Sequence, residues 1–119
     1  FGALTNLEIL VLSETFVTGL DVNLASLTNL EELWLSGTLI GGTLPAGLFN
    51  VPTLRTVLLE DCNFAGAIPP EIANLVNLVE FSVRNNTLDG TLPTVFGSFV
   101  NLVSLTLQEN SFVGTIPTE

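Results

Sequence analysis

The stretch "NNTLDGTLP", Asn85 to Pro93, returns 24 residues later as "ENSFVGTIP", Glu109 to Pro117. Both copies keep an apolar residue, a glycine and a Leu/Ile-Pro pair in the same places, and neither holds a nucleophile with its base. Followed in both directions, the pattern fills the chain. Units begin at Leu4, Leu27, Val51, Leu75 and Phe99, with spacings of 23, 24, 24 and 24 residues. A period of this length marks a solenoid, in which each coil buries its apolar side only by stacking on its neighbours.

The apolar residues fall into columns. Leu7, Leu30, Leu54, Leu78 and Leu102 form one; Leu12, Leu35, Leu59, Val83 and Leu107 form another. Between them, stretches such as "EELWLSG" and "EFSVRN" alternate apolar with other residues, the two-residue period of a strand with one buried face. Each coil therefore contributes about one short strand. Gly19, Gly42, Gly66, Gly90 and Gly114 recur where the chain leaves the strand side, which predicts a bend with positive φ or close approach to the next coil. Pro45, Pro69, Pro93 and Pro117 follow an inward apolar residue and limit strand pairing there, since proline lacks the N–H that a ladder needs.

The repeated unit resembles the plant-type leucine-rich repeat, LxxLxxLxLxxNxLxGxIPxxLxxLxx. The resemblance covers the chain after Ala3. It implies an α/β solenoid: a right-handed superhelix of about five coils, with a parallel sheet on the concave face and short 3₁₀ or helical turns on the convex one. The domain is expected to be single, over residues 1–119, with repeats at 4–26, 27–50, 51–74, 75–98 and 99–119. Thr15, Thr38, Cys62, Asn86 and Asn110 occupy the position where the family usually has Asn or Cys, and are expected to form an internal ladder that satisfies turn backbone groups. The first unit departs from the pattern, with "GLDVNLAS" one residue short and Asp21 where proline would stand, so local distortion is expected there. The family's disulfide-bearing caps are not in the sequence. Uncapped coils expose interior side chains and strand edges, and this favours a piece of a longer array, its ends covered by further repeats, over a small self-contained protein or ends covered by a partner.

Composition narrows the function. Twelve acids face only Arg55 and Arg84, with no Lys or His, for a net charge of -10. This argues against nucleic acid or anionic lipid as a partner, because both demand cations. No stretch approaches the roughly 18 uninterrupted apolar residues of a membrane span, so a membrane enters only through a parent chain. The lone Cys62 has no second cysteine to pair with. No cofactor is implied. Glu60 and Asp61 are adjacent carboxylates, yet neighbouring strand residues diverge and no calcium-loop spacing surrounds them, so no metal site is expected.

Residues flanking the inward strand positions point out onto the concave sheet. Read across coils, they give Ile9, Glu32, Thr56, Glu80, Ser104; then Val11, Trp34, Leu58, Ser82, Thr106; then Ser13, Ser36, Glu60, Arg84, Gln108. A fourth, marginal column is Glu14, Gly37, Asp61, Asn85, Glu109. Val11, Trp34 and Leu58 should form an apolar ridge with Ile9 beside it, centred on the only Trp of the chain. Against this stands the plainer reading that Trp34 covers its own sheet. The surrounding acids suit a basic or polyhydroxyl partner, while Arg84 and Arg55 are expected to pair with Glu60 and Glu31 in their own columns. Asn85-Asn86-Thr87 is the only N-x-[ST] sequon, and in a secreted eukaryotic chain a glycan at Asn85 would mask the concave edge; the repeat's own turn also generates such a triplet.

The resemblance implies an extracellular or cell-surface recognition module of the kind found in receptor-like kinases and polygalacturonase-inhibiting proteins, without catalysis, binding a protein or peptide on the concave face. The expected contact residues are Ile9, Val11, Glu32, Trp34, Leu58, Glu60, Glu80, Ser82, Arg84, Thr106 and Gln108. Two alternatives remain. One is adsorption to ice or another surface through the row Thr43, Ala67, Thr91 and Thr115; the other is glycoside hydrolysis by Glu32 and Glu80, for which an open sheet supplies no water-excluding pocket.

Overall fold

The computed structural model describes residues 6–15, 24–44 and 46–114. Gly19, Asp21, Pro45, Thr115 and Pro117, and with them the distortion expected around Asp21, lie outside the described residues.

Five three-residue strands, one per coil, make a parallel sheet: β1 (Ile9–Val11), β2 (Glu32–Trp34), β3 (Thr56–Leu58), β5 (Glu80–Ser82) and β7 (Ser104–Thr106), adjacent in chain order. The central residue of each strand faces inward and its two neighbours face outward, as the period-two pattern requires. Leu33, Val57 and Phe81 are fully buried. Leu105, in the last strand, is 37% exposed because a coil flanks it on one side only. Phe81 also packs on Phe96, ring centres 5.9 Å apart, and Phe96 meets Phe99 edge-on.

The chain closes the first four coils through short 3₁₀ turns at Leu24–Ser26, Ala46–Asn50, Pro70–Asn74 and Thr94–Ser98. Proline does more here than limit pairing. Pro69 and Pro93 immediately precede two of these turns with φ of -74° and -58°, conformations their rings fix in advance.

A second, two-stranded parallel sheet joins β4 (Ala65–Gly66) to β6 (Thr87–Leu88), and isolated bridges at Gly42–Phe64 and Thr91–Val113 extend the same line of pairing. The repeat pattern did not reveal it. Gly42, Gly66, Gly90 and Gly114 bend the chain along it, each with positive φ.

The ladder residues lie where the concave strands end. Asn86 is buried; its Nδ2 donates to the carbonyls of Leu59, Val83 and Arg84, while its Oδ1 accepts from the N–H of Cys62 and of Phe64. Asn110 repeats the motif one coil on, donating to Val83, Leu107 and Gln108 and accepting from the Leu88 N–H. The buried thiol of Cys62 donates toward the carbonyls of Leu35 and Glu60 and accepts from the Thr38 hydroxyl at 3.5 Å. Thr15 donates to the Leu12 carbonyl. From Thr38 onward one polar side chain per coil thus bonds a neighbouring coil at the strand exit, whereas the Thr15 bond stays within its own coil.

Candidate functional site: the concave sheet

Strand register decides which side chains meet on the concave face. Val11 pairs with Trp34, Trp34 with Leu58, Leu58 with Ser82 and Ser82 with Thr106. The adjacent outward row runs Ile9, Glu32, Thr56, Glu80, Ser104 in the same register. Parallel strands lie about 4.8 Å apart, so register neighbours are in contact range.

Apolar surface is concentrated in the first coils. Ile9 is 50% exposed, Val11 51% and Trp34 37%, with Leu58 half-buried beside them. Trp34 therefore lies outside the core. Its indole N–H donates to Glu32 at 3.1 Å, which fixes the ring against its own strand and leaves it partly open to solvent.

Farther along, the face turns polar. Glu32, Glu80 and Thr106 are half-buried and Gln108 is exposed. Ser82 occupies an outward position yet is buried, so it offers no free contact surface. Its short side chain lies between Leu58 and Thr106 on the flanking strands, and its hydroxyl donates to the half-buried Glu60 carboxylate at 2.5 Å.

Both expected arginine pairings are corrected by the structure. Arg84 reaches across to the next coil, where Nε and Nη2 donate to one Glu109 oxygen at 2.9 and 2.6 Å. One Glu60 oxygen already accepts the Ser82 hydroxyl, and Glu109 stands closer to hand. Hydrogen bonding and charge attraction from Glu109, with smaller help from Glu60 and Asp61, raise the Arg84 pKa and keep the guanidinium charged. Arg55 makes no ion pair among the described residues, although Glu31 neighbours it in the column.

The fourth column carries an unforeseen backbone feature. Glu14, Gly37, Asp61, Asn85 and Glu109 all have φ between 55° and 78°, so every strand exits through one left-handed residue. Gly37 and Asn85 were the signals in the sequence, since Gly and Asn visit this region most readily. Asn85, the sequon residue, is exposed and its amide donates to Asp61, while Thr87 bonds the Phe64 carbonyl. Among the described residues no group of three or more His, Cys, Asp or Glu is placed to hold a metal ion. Nor is any helix among them long and apolar enough to cross a membrane.

A model of paired leucine-rich repeats matches residues 5–46, and a single leucine-rich repeat model matches residues 53–75 and 77–99. The chain is a leucine-rich repeat protein. No curated protein sequence matches it significantly. Solved structures of leucine-rich repeat ectodomains do. The ectodomain of the Arabidopsis receptor kinase HAESA, in complex with an extended IDA peptide hormone, superimposes with a TM-score of 0.88 at 33% identity, over 93% of this chain and 19% of that one. That of GASSHO1/SCHENGEN3 from Arabidopsis thaliana, in complex with CASPARIAN STRIP INTEGRITY FACTOR 2, gives 0.91 at 31% identity, over 98% and 14%. The SOBIR1 ectodomain from Arabidopsis thaliana gives 0.84 at 30% identity, over 93% and 62%. This leucine-rich repeat chain thus spans less than a fifth of the first two ectodomains.

Proposed function

We propose that this leucine-rich repeat segment is a non-catalytic recognition module that takes a protein or peptide on its concave sheet, outside the cell or at its surface. The observation that carries the reading is the apolar ridge of Ile9, Val11 and Trp34, partly exposed on a sheet whose other face buries the core. Contiguous apolar surface of this kind favours contact, and a fixed tryptophan is a preferred anchor. The likeness to receptor ectodomains solved with peptide hormones supports a peptide or protein as the occupant.

Peptides selected from a random displayed library against the wild-type protein test the reading. Trp34→Ala combined with Leu58→Glu should weaken the selected peptides by about thirtyfold, the loss of one hot-spot anchor of roughly 2 kcal/mol, with circular dichroism and melting nearly unchanged. Equal binding to both proteins would contradict it, and parallel loss of folding and binding would make Trp34 a structural residue.

A further inference from the structure

A shallow groove of about 600 Å³ runs across all five coils where the chain enters the concave strands, apart from the tryptophan ridge. One wall is the column Glu8, Glu31, Arg55, Val79 and Val103, which directly precedes the strands. The opposite wall includes Thr53 and Asn77, whose side chains are tied to the preceding coil: Thr53 donates to the Leu30 carbonyl and Asn77 to the Pro52 carbonyl. The backbone beneath the column is fixed as well. The Glu8, Glu31, Arg55 and Val79 carbonyls each accept two N–H groups from the next coil, at 2.7–3.1 Å.

The column divides into three zones along its length: two carboxylates, then one guanidinium, then two valines. Arg55 is exposed and has no ion-pair partner among the described residues, and Val103 is 84% exposed. At about 4.8 Å per coil the column spans about 19 Å, while same-face side chains of an extended peptide recur every ~6.8 Å. Three such side chains fit the three zones.

We infer that this groove binds an extended peptide laid across the coils, with a cationic residue at Glu8 and Glu31, a carboxylate two residues on at Arg55, and an aliphatic residue two further on over Val79 and Val103. Charge complementarity selects this occupant: each charged zone demands the opposite sign, and the valine end rejects charge. Neither Trp34 nor Leu58 lines the groove, while Ile9 at the edge of the ridge shares an adjoining hollow with Glu8, Glu31, Arg55 and Val79.

Fluorescein-labelled peptides of pattern Lys-Ser-Glu-Ser-Leu, in both chain directions, test the inference by anisotropy titration against a Glu-Ser-Lys-Ser-Leu control. The wild-type protein should prefer one direction of the patterned peptide over the control. Arg55→Glu should weaken that peptide by roughly fivefold and favour a Lys-Ser-Lys-Ser-Leu version instead, the scale of an exposed ion pair. Trp34→Ala should leave this binding unchanged. No preference for the patterned peptide, absence of binding, failure of Arg55→Glu to exchange the preference, or a loss caused by Trp34→Ala would each overturn the groove as the site; only the last would leave the concave ridge strengthened.

Discussion

Asn86 shows how much a single side chain can hold in this repeat. Removing its amide takes the donor from the Leu59 carbonyl and leaves the Cys62 and Phe64 N–H groups without an acceptor in a buried turn, while the Val83 and Arg84 carbonyls keep the Asn110 amide and the Asp61 N–H. Asn86→Ala should therefore cost about 2–4 kcal/mol in denaturant unfolding, above the effect of one ordinary hydrogen bond; a loss under about 0.5 kcal/mol would show that water replaces the ladder. Gly90 gives a second test. Its φ is 74° and an added Cβ would lie 3.3 Å from the Ala67 Cβ, so Gly90→Ala should destabilise by about 1–2 kcal/mol. At Ala67→Gly, Gly90→Ala the crowding part should be relieved and the backbone part retained. At this scale the sequence was partly legible: glycine spacing announced bends, but the left-handed Glu14 and Glu109 carried no signal, because glutamate is not a residue that favours such a φ.

The concave strands were legible because inward and outward residues alternate and every inward position is apolar in all five coils. Their energetic weight differs with stacking. Phe81 is fully buried between β3 and β7, whereas Leu105 is 37% exposed. Phe81→Ala should cost about 3–5 kcal/mol, as for other deeply buried aromatics, and Leu105→Ala clearly less. Comparable losses in thermal or denaturant unfolding would mean that the last coil is packed as tightly as the interior ones. The β4–β6 pairing was hidden for the opposite reason. Two-residue strands beside glycine give no alternation to read, and their pairing follows from stacking of the coils, not from a local preference.

Across the whole molecule, periodicity prescribes what each coil puts inside and what it turns outward, which is why the solenoid and its outward columns could be read from spacing alone. Choices among neighbouring side chains could not. Arg84 had carboxylates of several coils within reach and took Glu109, and Ser82 disappeared beneath its neighbours by bonding Glu60. The column also could not say which surface a partner uses, because it gives the same outward status to the ridge and to the polar coils beyond it. Trp34 supplies the decisive observable, being the only tryptophan in the chain. Acrylamide quenching of its fluorescence, measured free and then saturated with a peptide selected on the wild-type protein, addresses the recognition surface directly. The free protein should be readily quenched and the complex shielded; a tryptophan already inaccessible when free, or equally quenched when the peptide is bound, would contradict the concave ridge as the docking site.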